Sequence, residues 1–297
     1  FLLVIADDLV SRHLPFYGYE RNTMPLLQRR LEGATLFANC HSPVGWTLPG
    51  CASIITGHLP GGHGLYDHNN RFQKPKLGHY LGEDYERVGI ANNGNVVSDT
   101  IPPEYLESLG FERRPAKWKS FGWDDGFDRY DWVHREDHEK PFVMAREFLE
   151  SRKGSDRPWF LSFHSNLVHD YHMGRDYYLD VGDWVDGGIH PALRDVRDGP
   201  EIWCNPPAGV DWDREKRDLV AKYDSGVRGY DARLDELLRL VDLDSTIVVF
   251  LSDHGEGFEP ERGRVHHCGR LHGDLTHVPL AIWLPPPLRS HYEAPLL

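Results

Sequence analysis

Cysteine and methionine are scarce, at four and three in 297 residues. The thiols, Cys40, Cys51, Cys204 and Cys268, show neither CxxC nor zinc-finger spacing, so no disulfide framework is expected and free thiols are the default. Basic residues are also in deficit, 33 Lys and Arg against 46 Asp and Glu, which leaves a formal charge of −13. A phosphate backbone needs a basic footprint, so a nucleic-acid partner is excluded. An anionic small molecule is not, because a bound cation can reverse the field inside a cleft. No apolar run approaches the about 18–20 residues that span a bilayer. Internal repeats and low-complexity tracts are missing as well, which excludes a repeat array. The first residues, FLLVIADD, already read as the inside of a strand. A preceding tag, signal or anchor is therefore expected to be absent from the sequence, and no compartment can be assigned.

What is present is apolar and aromatic. Hydrophobic residues make up 40%, with nine Trp and thirteen each of Tyr and Phe, enough for the core of one large domain. Phe1 to Ala6 is a continuous apolar run ending in Asp7-Asp8, the pattern of a strand buried on both faces. Thr23 to Gly33 reads as a short helix with Pro25 in its first turn and Gly33 as its stop. Further strands are expected in ATLFAN, in Tyr85–Ala91, in WFLSFHS, in Ser245–Leu251 and in VPLAIWLP. Helical spacing recurs over Lys140–Arg152 and, most clearly, over Asp218–Asp242, where Leu219, Tyr223, Val227, Tyr230, Leu234, Leu237 and Val241 trace one face. Alternating strands and helices predict an α/β fold with a mostly parallel central sheet. Asn92–Asp137 and Asp170–Trp212 read as irregular, aromatic excursions on the substrate side.

Two charged clusters follow strands directly: Asp7-Asp8 and Asp253-His254. Ligands of open α/β sheets bind at that edge. One such cluster alone is an ordinary turn or cap; two on equivalent strand ends point to a shared cation. Carboxylates with an imidazole suit Zn²⁺ or Mn²⁺, with Ca²⁺ and Mg²⁺ as the alternatives for an oxygen-lined site. In GWTLPGCASIITGHLPGGHG, Thr47 precedes Leu48-Pro49 and a helical run stopped by Gly57. That places Thr47 at or near a helix N-cap, where free N–H groups favour an anion. Cys51, one turn further among Ala52, Ile54 and Ile55, reads as a small buried packing residue. Of eighteen histidines, context singles out His164, His169, His267 and His272.

These pieces resemble, in order and approximate spacing, the sulfatase branch of the alkaline phosphatase superfamily. The matching stretches are VIADD, YGYERNTMPLL, WTLPGCASIITGHLPGGHG, WFLSFHSNLVH, YDSGVRGYDARLDELL, VVFLSDHGEGF and LTHVPLAIWLP. The resemblance implies an alkaline-phosphatase-like sandwich with helices on both sheet faces. It implies one catalytic domain over residues 1–297, with the family's C-terminal subdomain reduced or missing. The family signature C/S-x-P-x-R carries a Cys or Ser that is oxidised to formylglycine. Here Thr47 takes that position, Pro49 the Pro and Cys51 the place of the Arg. The stretch is therefore similar to the Thr-nucleophile members, the phosphodiesterases and phosphoethanolamine transferases. By this resemblance Asp7, Asp8, Asp253 and His254 ligate the main metal, completed by Thr47. His169 and His272 serve catalysis or a second site, and His267 competes for that second site. The family's G-K-W-H segment is replaced by IANNGNVVSD. The expected activity is metal-dependent hydrolysis of a small anionic phosphate ester. The alternatives are a sulfatase without formylglycine, a phosphoethanolamine-type transferase and a non-catalytic binding protein.

Overall fold

A computed structural model describes residues 1–68, 70–97, 121–171, 212–259, 264–267 and 271–289. Cys204, Cys268, Trp118 and nearly all of the excursion from Tyr171 to Trp212 lie outside these residues. Strand β1, Leu2–Ala6, is buried along its whole length, as its unbroken apolar run requires. It lies between β5, Trp159–Ser165, and β6, Val248–Ser252, and pairs with both in parallel. Beyond β5 come β3, Glu86–Ala91, and β4, Arg129–Trp132, also parallel. Beyond β6, β9 (Leu280–Trp283) and then β2 (Ala34–Leu36) each pair antiparallel with their neighbour. Among the described residues the sheet thus has the order β2-β9-β6-β1-β5-β3-β4, with a separate ribbon of β7, Phe258–Glu259, and β8, Arg264–Val265.

Alternation along β1 divides the interior in two. Leu2, Val4 and Ala6 pack with Leu27 of helix α1 (Pro25–Arg30), Phe142 of α4 (Lys140–Ser151) and Tyr230 of α5 (Trp212–Leu238). Leu3 and Ile5 point the other way, onto Leu48, Cys51 and Ile55 of α2 (Thr47–Thr56). Helices therefore cover both faces, and the α/β reading holds. Each large side chain fully buried in these layers contributes about 1.5–3 kcal/mol of hydrophobic stabilisation.

Element ends moved in instructive ways. The helix expected from Asp218 begins at Trp212 and stops at Leu238, so Val241 lies past it, although Leu219, Tyr223, Val227, Tyr230, Leu234 and Leu237 are all buried. The helix expected from Thr23 to Gly33 runs only over Pro25–Arg30, with Met24 as N-cap, and the Thr23 hydroxyl donates to His13 O at 2.6 Å. The aromatic excursion after Asn92 is not wholly a substrate-side loop. It contains β4, and Phe121 and Trp123 are buried in the core beside α2.

The register puts function at one edge. Ala6 lies opposite both Ser165 and Ser252, so β1, β5 and β6 finish together. The residues that follow them share that edge with Asn92 and Asn93, which follow β3.

Candidate active site

The turn after β1 is tightly fixed. Asp7 N donates to Ser165 O (3.0 Å), and Leu9 N donates to the Ser252 hydroxyl (2.9 Å). Tyr223 of α5 donates its hydroxyl to Asp8 O (2.7 Å) and accepts from Val10 N (2.9 Å). Asp8 is thereby held at φ 67°, a left-handed conformation uncommon for a side chain other than glycine. On the far side α2 approaches β6 so closely that a Cβ on Gly50 would lie 2.7 Å from Asp253 O, which only glycine permits.

These constraints converge on His254. Its Nε2 lies 3.2 Å from Asp7 Oδ1 and 3.7 Å from Asp253 Oδ2, and its Nδ1 lies 3.2 Å from Asp8 Oδ1. Thr47, buried at the first position of α2, sets its Oγ1 3.3 Å from His254 Nε2 and 3.5 Å from Asp7 Oδ1. Trp46 is the N-cap and is extended there (φ −166°, ψ 160°), so the Thr47 hydroxyl is turned to the site instead of capping the helix. Asn93 donates to Asp7 Oδ2 at 2.5 Å, and His164 Nε2 stands 3.6 Å from the same oxygen. Thus IANNGNVVSD, with no lysine, contributes an amide to the cluster.

The neighbouring histidines are arranged in sequence outward. His267 lies tilted against His254, 4.5 Å from ring centre to ring centre, and its Nδ1 is 3.7 Å from both Asp8 Oδ1 and Glu256 Oε2. His169 follows at 4.9 Å from the His267 ring. Its Nδ1 lies 2.9 Å from Asp170 Oδ1. Asp170 is fully buried and also meets Arg135 Nη2 (2.7 Å) and His138 Nε2 (3.2 Å). His272 is the N-cap of the short helix Gly273–Thr276 and joins none of the close ligand groups among the described residues. Asp7, Asp8, Thr47, Asp253, His254 and His267 are thus brought together, with His169 adjoining and His272 apart. Sequence reasoning missed Asn93, Asp170 and Glu256. Asp170 follows His169 directly, and Glu256 sits two residues past His254 in DHGEGF. Their place just past predicted strands, beside the residues already singled out, was the available signal.

Burial and close charge displace the titrations. Burial pushes the Asp8 carboxyl well above the ordinary range, and the Glu256 charge adds to this. Burial and the Asp7 charge likewise raise Asp253. For Asp7 the burial effect is outweighed by the His254 hydrogen bond and the charges of His169 and His164, so its carboxyl falls below the usual value. Burial opposes the His254 cation, but Asp253 and the hydrogen bonds to Asp7 and Asp8 prevail and raise it far above an ordinary imidazole. His267 goes the other way, down to about 4, through burial and the charge of His254. Burial lowers His169, and the hydrogen bond to Asp170 together with the charges of Asp7 and Asp170 outweighs this and raises it. The cluster as a whole demands positive charge.

The family model described as Sulfatase matches residues 1–296. The chain belongs to the sulfatase family. Similar to this sulfatase-family chain is the choline-sulfatase of Rhizobium meliloti (strain 1021), 24% identical over 95% of this chain and 62% of that protein. The chain thus spans less than two thirds of that curated relative. Among solved structures, the phosphonate monoester hydrolase of Agrobacterium radiobacter superposes with TM-score 0.66 at 16% identity, over 96% of this chain and 68% of that one. The C-terminal periplasmic domain of EptC from Escherichia coli, solved in complex with Zn, does so with TM-score 0.62 at 15% identity, over 98% and 74%. These likenesses show a shared fold.

The side chains of this sulfatase-family site fit a divalent cation. Both carboxylate oxygens of Asp8 are buried, and among the described residues only the His254 and His267 rings stand near its Oδ1, a costly state that a cation relieves. Asp7, Asp253 and His254 offer ligand atoms within 4.8 Å of one another, and so do Asp8, His254 and His267. Mixed carboxylate and imidazole donors are those of zinc or manganese. Among the described residues no helix is long and apolar enough to cross a membrane.

Proposed function

We propose that this chain is a divalent-metal-dependent hydrolase of phosphate esters, diesters or monoesters, with Thr47 as its nucleophile. The observation that carries the reading is the Thr47 hydroxyl, presented to Asp7 and His254 where the family signature has an oxidisable Cys or Ser. Asp7, Asp8, Asp253 and His254 would hold the cation, zinc or manganese. Bound there, the ion supplies Lewis-acid charge that acidifies the Thr47 hydroxyl and offsets the substrate's negative charge. Thr47 Oγ, its proton given up to solvent, attacks phosphorus, and the bond to the leaving oxygen breaks. The N–H groups of the first turn of α2 have no partner within the helix and hold the equatorial oxygens. His169, kept protonated by Asp170, gives its proton to the leaving oxygen; His272 is the competing donor. His169, now neutral, takes a proton from water as water attacks the phospho-threonine. Thr47 Oγ then leaves and takes a proton from solvent.

A second reading, direct sulfate-ester hydrolysis by Thr47, is favoured by the likeness to choline-sulfatase along 95% of the chain. A screen of aryl phosphomonoesters, phosphodiesters, phosphonates and sulfates with Zn²⁺, Mn²⁺, Ca²⁺ and Mg²⁺ separates the two. The proposal expects the highest kcat/KM on a phosphorus ester, and a preference for the sulfate would overturn it.

A further inference from the structure

Cys51 sits in the apolar layer between α2 and the sheet, but its sulfur does not meet only carbon. Its Sγ lies 3.4 Å from Asp253 Oδ2. Facing it is His164 on β5, in register with Ile5 and hence on the same sheet face. His164 is 4% exposed; its Nε2 stands 3.6 Å from Asp7 Oδ2, and neither ring nitrogen has a partner at hydrogen-bond distance. The cavity beside Cys51 and His164 is walled largely by Ile5, Ile55, Ile90 and Val96, which offer an imidazole nothing. Tyr130, on the same wall, directs its hydroxyl to Val96 O at 2.7 Å. A buried imidazole unsatisfied at both nitrogens is a costly arrangement unless something completes it. One atom each from Cys51, His164 and Asp253 lies within 4.8 Å of the others, and all three residues are buried.

Charge argues in the same direction. Asp7, Asp8, Asp253 and Glu256 are fully buried and gathered at one strand edge. Buried carboxylates crowded this closely are strongly unfavourable without positive charge beside them.

We propose that Cys51, His164 and Asp253 form a second cation site, of thiolate–imidazole–carboxylate type, with the Asp253 carboxylate shared between this site and the main centre. The donor set selects zinc, or cobalt in its place, over calcium and magnesium, which avoid sulfur. On binding, the Cys51 S–H bond breaks, its proton leaves to solvent, and a sulfur–metal bond forms. Three protein ligands leave one position of a tetrahedral ion for water or a substrate oxygen. The inference rests on the main centre of the proposed function and extends it.

The test is reconstitution of the chelator-treated chain with Co²⁺ and Zn²⁺. Expected is a thiolate-to-cobalt charge-transfer band in the near ultraviolet, retained in Cys40→Ser, Cys204→Ser and Cys268→Ser and absent in Cys51→Ser. Zinc content falls by about one ion per chain in Cys51→Ser. Wild-type zinc-edge X-ray absorption, which needs no variant, shows a sulfur neighbour at about 2.3 Å. A band that survives in Cys51→Ser, or loaded wild type with no sulfur neighbour, overturns the proposal. If turnover of a phosphorus ester persists with metal bound but no sulfur signature, only this inference falls. If no divalent ion binds at all, the main centre falls with it.

Discussion

Asp170→Asn is the most informative single change, because it removes a charge and keeps a shape. The carboxylate is fully buried and lies 2.9 Å from His169 Nδ1, 3.2 Å from His138 Nε2 and 2.7 Å from Arg135 Nη2. A hydrogen bond to a charged group is worth about 1.5–3 kcal/mol and a neutral one about 0.5–1.5 kcal/mol. Each imidazole contact therefore loses about 1 kcal/mol. Arg135, whose side chain is 37% exposed, loses less because water screens it. The variant should unfold about 2 kcal/mol more easily and still fold. Its catalytic effect depends on the leaving group. Donation by a positioned acid is worth about 10²–10⁴-fold, so kcat/KM for an alkyl phosphodiester should fall by at least about tenfold. For a 4-nitrophenyl ester, whose leaving group departs without a proton, kcat/KM should change little.

The pH profile moves as well. The Asp170 contact is the largest influence raising His169, opposed by burial, so its loss lets the imidazole give up its proton at lower pH. The alkaline limb of kcat/KM should shift to lower pH. Steady-state kinetics across pH on the two substrates provide the assay. Equal losses on both, with an unmoved alkaline limb, would refute the assignment of His169 as acid and leave Asp170 a purely structural role.

Two further outcomes are expected. Chelation should abolish turnover and lower Tm, and added Zn²⁺ or Mn²⁺ should restore both; a ligand at 100 times its Kd stabilises by about 2.7 kcal/mol, readable by calorimetry. Gly50→Ala puts a Cβ 2.7 Å from Asp253 O, so α2 and the Asp253 turn must part. A stability loss of about 1–3 kcal/mol in denaturant titration and about a tenfold or greater fall in kcat should follow.

The main cluster was legible because two strands announce it. Each is an apolar run broken abruptly by charge, VIADD and VVFLSDH, and a parallel strand buried on both faces leaves such residues only one place to go, the carboxyl edge. Thr47 was legible by its Pro and the helix behind it, but not its aim. That depends on the extended backbone of Trp46, a local choice with no residue signature. Cys51 reads from sequence as packing, and it does pack. Its contact with Asp253 spans 202 positions and exists only because Gly50 lets α2 touch the end of β6. Asn93 and Asp170 were hidden for the same reason. Asn93 meets Asp7, and Asp170 meets Arg135 and His138, across chain separations that the order β1-β5-β3 and its crossover connections create and local periodicity does not encode.

The central claim is the nucleophile, and Thr47→Ala in the metal-loaded chain tests it most directly. Turnover of an aryl phosphodiester should fall by at least about 10³-fold while the bound-metal content stays near wild type, because Asp7, Asp8, Asp253 and His254 remain. Rapid acid quench of the wild type during turnover should show a phosphorylated peptide carrying Thr47. Full turnover by Thr47→Ala would contradict the account.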